Sequence, residues 1–206
     1  MLAGRRAETL LLLEHDPVIT LGRSADPTHV LLAEDALARE GITVRKATRG
    51  GDVTYHGPGQ LVGYPIVRLR SGVRAHVRAM AAAIVDVLAA WGVAGDYRED
   101  APGVWVGGTS ANADAKIAAF GINVHHRVTI HGFALNLHPR LDHFSRIVPC
   151  GLAGCRVVSV EQILGVSPSL SEGAAMMARA LDARLGITFR ESENASELLC
   201  ESTPLE

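Results

Sequence analysis

Twelve residues, Arg49-Gly50-Gly51-Asp52-Val53-Thr54-Tyr55-His56-Gly57-Pro58-Gly59-Gln60, place the strongest local constraint on this chain. They hold four glycines and a proline, yet they lie between the apolar runs 42–44 and 61–69. A surface turn needs only about two or three such residues. Here the glycines alternate with Arg49, Thr54, Tyr55, His56 and Gln60, all of which hydrogen-bond. Glycine admits positive φ and lets backbone N–H groups approach a bound group, which polar side chains can then orient. A long hairpin connection is the alternative on composition alone. The alternation favours the wall of a binding pocket.

The flanking segments read as one α/β domain, since 206 residues suit a single well-buried core. Strands are expected at 9–14 and 18–21, broken by Asp16-Pro17, then at 42–47 leading into the glycine-rich loop and 61–69 leaving it. A short helix is expected at 33–40. Val73, Val77, Met80, Ala81, Ile84, Val87, Leu88 and Trp91 recur at helical spacing up to Gly92, a stripe that belongs to a core. Residues 103–106 are strand-like. Runs 116–124 and 132–137 form a hairpin pair about His125-His126-Arg127. A strand end and short helix follow at 157–164. Ser169-Leu170-Ser171-Glu172 has capping-box spacing and opens a helix to Leu185, stopped by Gly186. Most strands are expected to neighbour their sequence neighbours. The domain runs over 1–190, and the acidic tail 191–206 is expected to fray.

Charge and cysteine usage exclude several classes. A net charge of −2 argues against general nucleic-acid binding. No apolar run approaches the roughly 18 residues of a membrane span, and the N-terminal apolar run is too short for a signal peptide. Three cysteines, Cys150, Cys155 and Cys200, do not make a disulfide framework. A cytoplasmic protein with free thiols is expected. Between 45 and 78 there are seven bases (Arg45, Lys46, Arg49, Arg68, Arg70, Arg74, Arg78) against one acid, Asp52. Such a face suits an acidic partner or an anionic substrate, or is simply solvated.

Cys150 lies in Pro149-Cys150-Gly151, a rigid bend outside any helical stripe. Most lone cysteines are small core hydrophobes, but this corner favours a nucleophile. A thiol of ordinary pKa is only about 7% thiolate near neutral pH, so it wants a neighbouring cation. Lys116, at the head of the apolar run Ile117-Ala118-Ala119-Phe120-Gly121, is a candidate, although spacing alone favours snorkelling to solvent. Five histidines (His125, His126, His131, His138, His143) precede Cys150 and Cys155, but no spacing matches a zinc site, and no metal is expected. No nucleophile elbow and no Walker-type loop are present.

Taken in order, 49–56 with Gly57-Pro58-Gly59-Gln60, Lys116-Ile117-Ala118-Ala119-Phe120-Gly121, His131-Gly132-Phe133-Ala134-Leu135-Asn136 and Pro149-Cys150-Gly151 resemble the lipoyl(octanoyl) transferases. The match spans about 10–164. The resemblance implies the biotin/lipoate protein ligase-like fold, a single domain with a mixed, mostly antiparallel sheet and flanking helices. It implies octanoyl (or lipoyl) transfer from acyl carrier protein to a lysine of lipoyl domains, those of 2-oxoacid dehydrogenases and the glycine cleavage H protein, with no cofactor. Cys150 is then the acyl-thioester nucleophile and Lys116 the partner that lowers its pKa, which reverses the local reading of Lys116. Arg49, Gly50, Gly51, Asp52, Val53, Thr54, Tyr55 and His56, with Ala119, Phe120, Gly121, Gly132, Phe133 and Ala134, would line the acyl pocket.

Three features depart from that pattern. The segment 107–115 is longer and richer in alanine, Val158 stands where threonine is common, and Cys155 is an added thiol. Two other readings share part of the signal. An ATP-dependent lipoate or biotin ligase would not need Cys150, and a non-catalytic binding protein for acyl-carrier or lipoyl domains would form no adduct.

Overall fold

In a computed structural model that describes residues 8–107, 114–151 and 154–189, the Cys150 side chain excepted, the strand-forming runs assemble into two sheets. The tail 191–206, Cys200 and most of the 107–115 loop lie outside the described residues. The strands are β1 Thr9–Leu13, β2 Val18–Leu21, β3 Thr43–Lys46, β4 Val53–His56, β5 Gln60–Ile66, β6 Gly95–Arg98, β7 Gly103–Val106, β8 Ala115–His125, β9 Val128–Asn136 and β10 Arg156–Val157. The helices are α1 Glu34–Arg39, α2 Val73–Ala90, α3 Val160–Leu164 and α4 Leu170–Leu185.

The large sheet runs β1-β5-β9-β8-β7-β6, each neighbour antiparallel, with β10 added parallel to the start of β8. The small sheet runs β3-β2-β4. Sequence neighbours pair along β6-β7-β8-β9 in the large sheet and as β2-β3 in the small one, but the other pairings join strands distant in sequence, which corrects the expectation that most strands neighbour their sequence neighbours. The reason is that β2, β3 and β4 leave the large sheet to enclose a core of their own. The β8–β9 hairpin turns through His126 and Arg127, both at positive φ (46° and 63°). Positive φ at both central residues is the mark of a type I′ turn, whose twist matches that of the flanking strands.

One further expectation needs correcting, and one strand, β6, had none. Residues 53–56 within the glycine-rich stretch form a strand, antiparallel to β2, because Val53-Thr54-Tyr55 suit a pleated surface half-buried against a core. The edge strand β6 carries too little apolar alternation to stand out in the sequence.

α2 buries Met80, Ile84 and Leu88 and α4 buries Met177 and Leu181, in one cluster with Leu61, Val104, Ile117 and Leu135 of the large sheet. Each such side chain contributes about 1.5–3 kcal/mol of transfer free energy. Ser169 caps α4, its Oγ accepting from the Glu172 N–H at 3.2 Å, and Gly186 ends it at φ 64°. A second cluster joins Ile19, Leu37, Ile42, Val53, Tyr55 and Ile147 around the small sheet. No helix among the described residues is long and apolar enough to cross a membrane.

Candidate functional site

Strands of both sheets enclose a cavity of about 830 Å³, within the size range of small-molecule sites. β4 contributes Thr54 and His56, and the turn before it contributes Arg49, Gly50, Gly51 and Asp52. β8 supplies Lys116, Ala119, Phe120 and Gly121, and β9 supplies Gly132, Phe133 and Ala134. Val53 and Tyr55, expected in the lining, are not part of it. Strand residues alternate between faces, so these two point into the second core while Thr54 and His56 meet the cavity.

Arg49 is 8% exposed and braces the glycine-rich turn against β2. Its Nη2 donates to the Thr20 carbonyl at 2.6 Å and to Thr20 Oγ1 at 2.8 Å, Nε donates to the same hydroxyl at 3.1 Å, and Nη1 donates to Gly50 O at 3.1 Å. Room for the guanidinium comes from glycines elsewhere in the chain. A Cβ on Gly121 would lie 2.8 Å from Arg49 Cδ, and one on Gly22 would lie 2.6 Å from Nη1.

Behind β4 a polar chain runs between the sheets. The Asn136 amide donates to Val158 O at 3.0 Å, Gln60 Nε2 donates to Asn136 Oδ1 at 2.8 Å, and Gln60 Oε1 lies 2.6 Å from His56 Nδ1. A backbone carbonyl only accepts, so its end of the chain fixes the direction of every bond. His56 therefore donates from Nδ1 and is left with Nε2 as an acceptor. Burial, the larger effect, pushes the His56 pKa down to about 4, although the Gln60 bond opposes it. Burial also lowers His15 and His131 and raises Tyr64, all three lining the cavity. His15 Nε2 and the Tyr64 hydroxyl share a bond of 2.6 Å, and His131 Nε2 shares one of 2.8 Å with Thr48. His15, Thr20, Tyr64 and His131 were not expected in the site. Tyr64 was findable, because it alternates with Val62 along β5, whereas His131 turns on a positive φ of 62° that no pattern announces.

Cys150 lies at the centre of Pro149–Gly151, one turn of 3₁₀ helix closed by the Gly151 N–H donating to Val148 O at 3.2 Å. Gly151 has φ 66°, which suits glycine. A Cβ there would lie 2.9 Å from Asp52 Oδ2, so the backbone turn borders the cavity through Asp52. Asp52 accepts from the Asp26 N–H at 3.0 Å and pairs with His29, whose carbonyl takes the Val148 N–H at 2.8 Å.

Lys116 is 4% exposed, on the cavity wall, with Nζ donating to Pro102 O at 3.3 Å. Its carbonyl accepts from Val158 N at 3.1 Å. Val158 thus serves the site through its backbone N–H and C=O, which any residue but proline supplies, so threonine is not required there. Cys155 is half-buried just before β10, its Sγ 3.7 Å from Arg156 O.

The expected basic face is divided up. Arg49 is buried, Arg70 pairs with Glu8, and Arg74 and Arg78 both pair with Glu99. Acids from outside the 45–78 window offset its charge. Among the described residues no group of three or more His, Cys, Asp or Glu is placed to hold a metal ion.

A family model described as the lipoyl protein ligase A/B catalytic domain matches residues 1–182. An octanoyltransferase of Chloroflexus aurantiacus is 44% identical over 190 residues, covering 90% of this chain and 82% of that protein. An octanoyltransferase of Myxococcus xanthus is 46% identical over 172 residues, 82% of this chain; the match spans 48% of that longer relative. Among solved structures, a bipartite lipoate protein ligase from Thermoplasma acidophilum superposes with a TM-score of 0.69 over 89% of this chain and 73% of the other, at 22% identity.

Proposed function

Because the chain belongs to the lipoyl protein ligase A/B catalytic-domain family, we propose that it is an octanoyltransferase that moves an octanoyl group from acyl carrier protein to a lysine of a lipoyl domain through a thioester on Cys150. The observation that carries this reading is one buried ammonium-bearing side chain, Lys116, on the wall of a cavity that the Cys150 turn borders. The names of the relatives give the acyl group.

The route is covalent catalysis in two displacements. It starts from a Cys150 thiolate beside a Lys116 ammonium. The thiolate attacks the carrier's thioester carbonyl, the new C–S bond forms, and the carrier thiolate leaves with the proton of Lys116. This exchange of thioesters is nearly isoenergetic and needs no nucleotide. The acceptor lysine then attacks the Cys150 thioester as a free amine. Its surplus proton passes to the now neutral Lys116, the amide forms, and the Cys150 thiolate departs. The starting ion pair is restored. Only about 0.1% of an ordinary lysine is neutral near pH 7.4, so the second step needs this base.

Intact-protein mass spectrometry after mixing with octanoyl-carrier protein tests the route. Wild type is expected to gain one octanoyl group, labile to hydroxylamine and mapped to Cys150, and Cys150→Ser is expected to gain none that hydroxylamine removes. Turnover that appears only with ATP and free octanoate, without an adduct, would favour the ligase reading instead.

A further inference from the structure

A long unbranched lysine on an apolar wall ordinarily snorkels toward water. Lys116 does not, and three features hold it. The first is a register shift between β7 and β8: Val104 pairs with Ala118 but Trp105 with Lys116, so Ile117 is an extra residue on β8. Ile117 buries in the helix-covered core and Lys116 turns to the cavity. Bulges beside active sites re-aim side chains in this way. The second is Trp105 itself, the cross-strand partner of Lys116, whose ring centroid lies 5.0 Å from Nζ. The indole is fixed by Nε1 donating to Ala101 O at 2.9 Å. The third is bare backbone. Pro102 offers its carbonyl to Nζ, and a Cβ on Gly103 would stand 2.8 Å from Lys116 Cε.

We propose that Trp105 is the positioning residue for Lys116, its π face holding the ammonium at the depth where it meets the reacting atoms. The proposal rests on the role given to Lys116 above. Cation–π attraction strengthens when the cation is desolvated, and it acts only while Nζ is charged. During turnover it lapses when the carrier thiolate removes the proton, whereas the Pro102 acceptor remains. The neutral amine is then released to turn toward the incoming lysine, and reprotonation returns it to the ring.

Trp105→Leu removes the π face, and Trp105→Phe keeps it without the indole N–H. In wild type, the Lys116 ε-methylene proton signal, identified as the one missing in Lys116→Met, is expected to be displaced upfield by the ring current. It stays displaced in Trp105→Phe and moves to the position of exposed lysines in Trp105→Leu. In parallel, kcat in Trp105→Leu is expected to fall about tenfold or more with KM for octanoyl-carrier protein within about twofold, while Trp105→Phe keeps at least about a third of wild-type kcat. A wild-type Lys116 signal without displacement, or full turnover in Trp105→Leu, overturns the proposal. So does a Trp105→Phe as slow as Trp105→Leu while its Lys116 signal stays displaced. Lack of a wild-type octanoyl adduct is a separate outcome that overturns the transferase reading and leaves the lysine signal to report on the ring.

Discussion

His56 makes the stability of this protein depend on acid in a way that can be calculated. Its folded pKa is about 4, with burial the main cause, and the unfolded value is close to 6.5. Between those two values the unfolded chain binds a proton that the folded chain does not, so stability rises with pH across that window and falls as pH drops through it. One pKa unit is about 1.36 kcal/mol. From pH 7.5 to pH 5 the difference covers about 1.5 units, or about 2 kcal/mol from this one residue. Other histidines lowered by burial, such as His76 and His143, act in the same direction, so the His56 share has to be isolated. His56→Asn does so, because its amide N–H can replace Nδ1 as the donor to Gln60 Oε1 without titrating. Urea unfolding of both proteins at pH 7.5 and pH 5 measures the difference. Wild type is expected to lose about 2 kcal/mol more than the variant over that interval. Equal losses would mean that His56 takes up its proton in the folded state, and the burial reasoning would be wrong.

Two other predictions concern the cavity wall. A Cβ on Gly132 would lie 2.2 Å from the Gly63 carbonyl oxygen on the paired strand β5, so Gly132→Ala must force β5 and β9 apart. A loss of more than about 3 kcal/mol is expected; a thermal midpoint within a few degrees of wild type would refute it. Arg49→Lys keeps the charge but lacks the fork that spans the Thr20 carbonyl and hydroxyl. It is expected to cost about 1–3 kcal/mol in urea unfolding, and an unchanged midpoint would show that the brace is dispensable.

Much of this fold is legible where a residue's surroundings are local. The α2 stripe, the Ser169 cap, the Gly186 stop and the β8–β9 hairpin follow from spacing and turn chemistry, and each lies within a residue or a few of its expected bounds. The pairing of β1 with β5 and of β5 with β9 was not legible, because strand partners are chosen by apolar faces that meet across 49 or more positions. The glycine-rich stretch shows both sides. Its constraint on the chain was visible, but the alternation inside it was missed: Val53 and Tyr55 carry the small core, and only their neighbours meet the cavity. The partners of Arg49 could not be read either, since Thr20, Gly22 and Gly121 are ordinary residues until the fold brings them together.

The energetics of the acyl chain show what a covalent bond would add on the proposed route. Burying about seven alkyl carbons at about 0.8 kcal/mol each yields roughly 5–6 kcal/mol, which alone corresponds to a dissociation constant between about 0.04 and 0.2 mM. An octanoyl group held so weakly would escape between departure of the donor protein and arrival of the acceptor. On the proposed route the thioester retains the group through that interval, so the wall need not be tightly complementary to the chain. On that route the wall has only to supply a fixed carbonyl position beside Cys150 and Lys116. Hydrogen bonds support the backbone around the cavity at three places: the Arg49 brace, the polar chain from Val158 to His56, and the closed turn at Gly151 tied to His29. Specificity for chain length, worth only about 1–3 kcal/mol per methylene, can then change at the far end of the cavity without disturbing the chemistry.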